Sequence, residues 1–384
     1  MYCSLSIHIR NNAGRNTFHA IVSEFMKILS LFCHLMLNFV NLNCRKNKMQ
    51  KKILITGASG FIGSAIVARA LEQGYETWAG VRASSKKDRL QDKRIKFIDL
   101  DYSDKEKLTN QLNSFVHKNG KWDAIVHVAG LTKAIRKSEF DKVNFHYTKN
   151  FVDALVDANS VPESFVFMST LGAVGVGDET GYLPMQCDRK PNPNTAYGKS
   201  KLLAENYLKS IPGFPYVILR PTGVYGPQDT DYLILMKAVQ KGINVGAGFK
   251  KQLLSFIYIS DLVDIVFSCL NKEVARKEYF VSDGEAYTDD EFNKIVQVAL
   301  KKKRVLRLKI PLFIVKAASY VSEKIGELIG KPVTFNTDKY KIMKQRNWAC
   351  DITPLKEDID FAPKYLLKEG VEKTIDWYKE KGWL

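Results

Sequence analysis

Ile53-Leu54-Ile55-Thr56-Gly57-Ala58-Ser59-Gly60-Phe61-Ile62-Gly63 is an aliphatic run that breaks into glycines spaced three apart and then resumes as an apolar helical pattern. Strand, tight turn and helix N-terminus in that order predict the opening βαβ unit of a parallel sheet. In this G-x-x-G-x-x-G spacing, Gly57 permits the turn, Gly60 lets backbone approach a pyrophosphate, and Gly63 lets helix and strand pack closely. The helix opening near Phe61 and Ile62 turns free N–H groups toward the phosphates. Gly57, Gly60, Phe61, Ile62 and Gly63 are therefore candidate dinucleotide contacts.

Beyond this stretch the alternation continues. Strand candidates are Ile53–Thr56, Glu76–Val81, Ile95–Ile98, Ala124–Val128, Phe165–Met168 and Tyr216–Leu219. Helical patterns lie between them at Phe61–Gln73, Asp104–His117, Glu139–Ala158 and Ala196–Ser210. Alternating β and α over this length predicts an α/β fold, a Rossmann-like doubly wound parallel sheet with ligands at the strand ends. After Arg220 the alternation breaks down, and 221–384 reads as a smaller mixed C-terminal substrate-binding region. The dinucleotide-binding domain is expected over 49–220, with the chain returning to it at about 256–283. The run Leu308 to Val315 is expected to open a helix with a broad apolar face.

The chain has 384 residues and a formal charge of +17. Such a charge suits nucleic acid, anionic lipid or an anionic cofactor. Lys and Arg are scattered among Asp and Glu without a nucleic-acid motif, which favours a basic solvated surface and no nucleic-acid partner. Six cysteines, Cys3, Cys33, Cys44, Cys187, Cys269 and Cys350, include no CxxC pair. Zinc and thioredoxin-like readings fail, no metal is expected, and the thiols read as those of a reduced cytoplasmic protein.

Residues 1–48 differ from the rest. They hold three cysteines, seven asparagines and one acid, Glu24, against six Lys/Arg, a net charge of +5. The apolar stretch Ile28–Val40 is interrupted by His34 and Asn38 and is short for a span. An upstream extension, with initiation at Met49 just before the first strand, is the expectation. A membrane anchor is the alternative, and only then would a membrane be a partner.

The second strand ends Ala79-Gly80-Val81-Arg82. An NAD site places Asp or Glu here for the ribose 2′-hydroxyl. Arg82, followed by Ser84, Ser85, Lys86, Lys87 and Arg89, suits a 2′-phosphate instead. The expected cofactor is thus NADP rather than NAD. Asp101 and Tyr102 follow the third strand, where an adenine edge would lie.

Tyr197-Gly198-Lys199-Ser200-Lys201 places a tyrosine and a lysine one helical turn apart, on one face. A nearby ammonium is expected to lower the tyrosine pKa and make it a general acid or base near pH 7. Tyr340 and Lys344 repeat the spacing but lack a preceding glycine loop and Ser/Thr pair. Tyr197 follows the strand Phe165–Met168, which ends in Ser169-Thr170.

Taken in order, the sequence resembles the extended short-chain dehydrogenase/reductases, nearest in look to the dihydroflavonol reductase and 3β-hydroxysteroid dehydrogenase branch. The segments carrying the resemblance are Thr56–Gly63, His127-Val128-Ala129-Gly130, Ser169-Thr170, Tyr197 to Lys201, Leu219-Arg220-Pro221 through Tyr225-Gly226-Pro227, and Phe256 to Leu262. The resemblance implies Thr170 as the catalytic Ser/Thr, Tyr197 as acid–base and Lys201 as its activator, with Tyr197 and Lys201 also contacting the cofactor. It implies that Val128, Ala129 and Gly130 line the cofactor, with Pro221 and Val224 near the nicotinamide, and it matches Asn144 to a helix asparagine. A homodimer is usual in such proteins.

The expected function is an NADP-dependent oxidoreductase transferring hydride between nicotinamide and a carbonyl or secondary alcohol of a largely apolar small molecule. A nucleotide-sugar epimerase or dehydratase is the alternative. An NADP-sensing regulator is disfavoured, because a sensor has no need of Tyr197 and Lys201. Nucleotide-sugar relatives commonly carry Arg-Asp-Phe where this chain has Leu254-Ser255-Phe256, and leucine cannot neutralise a diphosphate; Lys250 and Lys251 stand nearby.

Overall fold

Strand β1 (Lys52–Thr56) pairs in parallel with β2 (Glu76–Gly80) on one side and β4 (Ala124–His127) on the other. In the computed structural model, which describes residues 50–384 apart from 273 and the isolated positions 26 and 30, these strands centre a seven-stranded sheet. Except for those two positions, segment 1–48 with Cys3, Cys33 and Cys44, and the expected start at Met49, lie outside the described residues.

β3 (Lys96–Ile98) completes one edge, while β5 (Ser164–Met168), β6 (Tyr216–Pro221) and finally β11 (Lys277–Val281) extend the other. The order is β11-β6-β5-β4-β1-β2-β3, and every pair is parallel. The chain reverses direction across the sheet between β1 and β4. That switch point opens a crevice at the strand ends, where ligands bind in such sheets.

Both faces are covered, as all-parallel strands require. Ile53, Ile55, Val126, Val166, Val217 and Leu219 face α1 (Phe61–Glu72) and a later helix, Ile259–Asn271. The alternate residues Leu54, Ile125, Phe165, Phe167 and Ile218 face α2 (Lys105–Asn119), α3 (Tyr147–Asp157) and α4 (Ala196–Ser210). Each fully buried aliphatic side chain contributes about 1.5–3 kcal/mol. Local signals set the helix starts: Asp104 accepts from Lys107 N–H (3.0 Å) and Thr195 from Gly198 N–H (3.0 Å).

The expected single helix Glu139–Ala158 is broken. A short turn, Ser138–Phe140, runs into a π-helix, Asp141–His146, and only then into α3. Such insertions mark functional positions, and this one contains the buried Asn144.

Beyond β6 the strands are short pairs: β7 (Gly223–Tyr225) with β10 (Phe256–Tyr258), β8 (Ile243–Ala247) with β13 (Leu306–Ile310), and β9 (Leu253–Leu254) with β12 (Tyr287–Thr288). With helices α5 (Asp231–Gln240), α6 (Ile259–Asn271) and α7 (Asp289–Ala299) come α8 (Leu312–Ile329), α9 (Thr337–Lys344), α10 (Thr353–Ile359) and α11 (Leu367–Glu380). Tyr225, Phe256, Phe292, Val371 and Tyr378 centre a further core here. The helix expected to begin at Leu308 begins at Leu312: Leu308–Ile310 pair with β8, and Pro311 ends the strand.

Candidate active site

Gly57 adopts φ +64°, and a Cβ there would stand 2.8 Å from Ala129 N. A Cβ on Gly63 would stand 2.3 Å from Gly57 O. First and third glycines are thus required by close approach of backbone. Gly60 is exposed, and its Cβ would meet only Gly57 O at 3.3 Å, so the space before it is open. It begins α1 without a side-chain cap. An open glycine and an uncapped helix start at the switch point form a cradle that fits a pyrophosphate.

The loop is locked to β4 from below. Ala129 N–H donates to Thr56 Oγ1 (3.1 Å), which lies 2.8 Å from His127 Nδ1; His127 Nε2 lies 3.0 Å from Thr148 Oγ1, which donates to the Asn144 carbonyl (3.0 Å). Since Thr148 Oγ1 spends its one proton on the Asn144 carbonyl, it accepts from His127 Nε2–H, which leaves Nδ1 to accept from Thr56 Oγ1. Burial, then the Lys201 charge, pushes the His127 pKa down to about 3, so the ring is neutral. The Asn144 amide ties Leu131 N–H (2.7 Å), Leu131 O (3.0 Å) and Ser200 Oγ (3.0 Å) together.

Helix α4 presents Tyr197, Lys201 and Glu205 one turn apart. Gly198 allows the approach: its Cβ would lie 2.2 Å from Gly172 O, in the turn that follows Thr170. Thr170 Oγ1 accepts from Gly172 N–H (3.2 Å), which leaves its own proton available. The half-buried Tyr197 ring packs edge-on against Phe140, with centroids 5.9 Å apart. Asp338, from α9, accepts from Ala196 N–H (2.7 Å) and so tethers the C-terminal region to the start of α4.

Lys201 is buried. Its ammonium donates to Met168 O (2.8 Å), lies over the Phe167 ring (4.6 Å) and comes close to Gly130, where a Cβ would be 3.3 Å away. Burial lowers its pKa to about 8, opposed by the Glu205 charge. Glu205 accepts from Ser169 Oγ and from Arg220 Nε (3.2 Å) and Nη2 (2.7 Å), and Arg220 also reaches Glu278. The expectation that Lys201 lowers the Tyr197 pKa is corrected. Burial alone raises the phenol to about 12, because the ammonium is directed at Met168 O.

At the end of β2, Arg82, Ser84 and Lys86 are exposed with no hydrogen-bond or ion-pair partner for their side chains among the described residues. Arg89 donates to Gln228 O (2.8 Å), and Lys87 lies over Phe97 (4.3 Å). The basic cluster is therefore divided, with Arg82 on the free side. Asp101 accepts from Ser103 N–H (3.1 Å) and Oγ (2.5 Å). Tyr102 turns its ring onto Phe151 (5.3 Å), and its hydroxyl is buried without a partner. Pro221 ends β6, and Val224 in β7 packs on the main core. Val128, Ala129 and Gly130 follow β4 directly, with Gly130 exposed.

A shallow hollow lies beside Phe140, lined by apolar residues such as Ala134, Ile135 and Val333 and by charged ones such as Lys137, Glu323 and Asp338. Leu254-Ser255-Phe256 is built into the fold: Leu254 pairs with Tyr287, Ser255 donates to Glu285 O (3.0 Å), and Phe256 is buried. The buried Arg346 nearby gives its side-chain N–H groups to the carbonyls of Lys344, Ala247, Lys250 and Met343. Among the described residues, no cluster of His, Cys, Asp or Glu could hold a metal, and Cys187, Cys269 and Cys350 are unpaired. No helix among them is long and apolar enough to cross a membrane. Gly198, Glu205 and Asp338 were not singled out by pattern. Only the Tyr197, Lys201, Glu205 spacing carried a signal for any of them.

The chain is similar to the UDP-glucose 4-epimerase of Vibrio cholerae, 29% identical over 336 residues, covering 85% of this chain and 95% of that one. It is similar also to the ceramide reductase of Caulobacter vibrioides, 23% identical over 334 residues, covering 86% and 96%. The Bordetella bronchiseptica enzyme WbmG, solved in complex with NAD, shares the fold with a TM-score of 0.69 at 20% identity, covering 88% of this chain and 96% of that one. Residues 53–282 match the family described as NAD dependent epimerase/dehydratase family. With that match over more than half its length, and with the glycine cradle and Tyr197–Lys201 helix on one parallel sheet, the chain belongs to the NAD dependent epimerase/dehydratase family, the extended short-chain dehydrogenase/reductases.

Proposed function

We propose that the protein is an NADP-dependent oxidoreductase acting on a carbonyl or secondary alcohol of a largely apolar substrate. The observation that carries the substrate class is the fate of Leu254-Ser255-Phe256 and Arg346. The first three serve packing and backbone bonds, and the one buried cation near them is spent on carbonyls. A substrate diphosphate would find no free buried charge among these residues.

In this reading Gly57, Gly60, Phe61, Ile62 and Gly63 hold the pyrophosphate, with Val128, Ala129 and Gly130 opposite, and Arg82 takes the 2′-phosphate. Asp101 and Tyr102 lie toward the adenine, and Pro221 and Val224 toward the nicotinamide. When bound, the cofactor supplies or accepts the hydride. Thr170 donates its free proton to the substrate oxygen and orients it. Tyr197, held protonated by burial, gives its proton to the developing alkoxide, a stronger base than phenolate. Lys201, still mostly charged at pH 7, is held by Met168 O and contacts the cofactor ribose. The region after 220 supplies the substrate walls.

The second reading, a nucleotide-sugar epimerase or dehydratase using NAD, is favoured by the likeness to the Vibrio UDP-glucose 4-epimerase. The ceramide reductase likeness favours the first. Titration calorimetry with UDP-, GDP- and dTDP-sugars, NADP present, separates them. No binding at micromolar concentration is expected, and micromolar binding or an epimerised product would replace the first reading with the second.

A further inference from the structure

Helix α8 is turned inside out. Its buried positions are Val315, Ser319 and Gly326, of which two are small. Its bulky residues face outward: Phe313 is 72% and Leu328 86% exposed, and Ile314, Val321, Ile325 and Ile329 are exposed as well. At 3.6 residues per turn, Ile314, Ala317, Ala318, Val321, Ile325 and Leu328 fall within an arc of roughly 100°. All six are exposed, and no charge interrupts them. An ordinary surface helix shows the opposite arrangement.

The strand leading into α8 repeats the pattern. Leu306 stands opposite Ile243 and Leu308 opposite Val245, and all four are exposed. An apolar surface of this extent marks an interaction site.

Its charge setting selects the occupant. Residues 301–331 hold nine Lys/Arg and two acids, Glu323 and Glu327, a net +7 out of the chain's +17. Arg307 and Lys309 are paired with Asp290 and Lys324 with Glu327, whereas Lys301, Lys302, Lys303 and Arg304, which lead into the exposed Leu306, have no acidic partner among the described residues. A second copy would bring the same four unpaired cations to the contact. A face with an apolar centre and a cationic setting complements an anionic bilayer, whose acyl region takes the aliphatic arc while its headgroups take the lysines.

We infer that α8 and the β8–β13 ribbon form a docking surface on which this protein lies at an anionic lipid bilayer, without crossing it. The surface rests on its own geometry and holds whichever substrate reading is right. It has a consequence for access, because Glu323, Gly326 and Glu327 on the opposite side of α8 line the hollow beside Phe140, whose ring packs on Tyr197.

Vesicle flotation with the full chain tests this, using phosphatidylcholine alone or mixed with phosphatidylglycerol. Wild type should float with the anionic vesicles at least about tenfold better than with the neutral ones, as a combined apolar and electrostatic surface requires. Ile325→Asp/Leu328→Asp should lose that binding at least about tenfold while keeping the wild-type circular dichroism and cofactor affinity. Lys301→Glu/Lys303→Glu should lose the preference for anionic vesicles. No flotation of wild type, or equal flotation of the apolar double variant, would overturn the inference. So would a wild-type dimer in sedimentation that the double variant converts to monomer, since the face would then belong to a second copy.

Discussion

Glu205→Gln changes one charge and almost no volume, at a position fully removed from solvent. Glu205 is one side of a buried pair whose other member, Arg220, is 1% exposed. Breaking such a pair from one side costs about 3–5 kcal/mol, because the remaining charge stays buried. Arg220 keeps its bond to the partly exposed Glu278, and a glutamine oxygen still accepts from Ser169, so the lower end, about 3 kcal/mol, is expected. That is a sizeable share of the roughly 5–15 kcal/mol typical of a folded domain. In urea the midpoint should fall with an unchanged slope, as for a loss of stability without a change in compactness. A second readout ties the residue to the site. The Glu205 charge raises the Lys201 pKa against the effect of burial, so its removal should move the alkaline limb of the activity profile to lower pH. A stability loss below about 1 kcal/mol, or a limb that stays in place, would refute the view that this carboxylate both anchors Arg220 and tunes Lys201.

Two further outcomes follow from the same geometry. Lys201 has a pKa of about 8, so its positive charge is present below that value and lost as pH rises through it. Activity should therefore decline above about pH 8, well before Tyr197 titrates near 12; a profile flat to pH 10 would remove Lys201's charge from the mechanism. Arg82→Asp should weaken NADPH binding far more than NADH binding, since Arg82 has no other side-chain partner among the described residues, and an unchanged NADPH/NADH ratio in fluorescence titrations would move the 2′-phosphate contact elsewhere.

What the sequence disclosed was local. The strand–glycine–helix stretch at Ile53–Gly63 and the Tyr197–Lys201 turn are each set by neighbours in the chain, and both appear in the structure as read. Long-range partners were not legible. Nothing near Lys201 in sequence announces that its ammonium goes to Met168 O, so the direction of the Tyr197 shift was misread. Nothing near Ala196 announces Asp338, more than a hundred residues later. The π-helix at Asn144 hid in an unbroken helical pattern, since one inserted residue alters the hydrogen-bond ladder but hardly the composition. The apolar face of α8 was visible, whereas its outward direction was not: periodicity reports that a face is apolar and is silent on what it faces.

Tyr197 carries the proposed proton transfer. NADPH and NADH binding and the rate of cofactor oxidation against steroid, flavonoid and small ketones should be measured for wild type, Tyr197→Phe and Tyr340→Phe. Tyr197→Phe should bind cofactor as wild type does and lose about 10²–10⁴-fold in turnover, the contribution of a positioned proton donor, while Tyr340→Phe should match wild type in both. Turnover preserved in Tyr197→Phe, or lost equally in Tyr340→Phe, would contradict the assignment of Tyr197 as the acid–base.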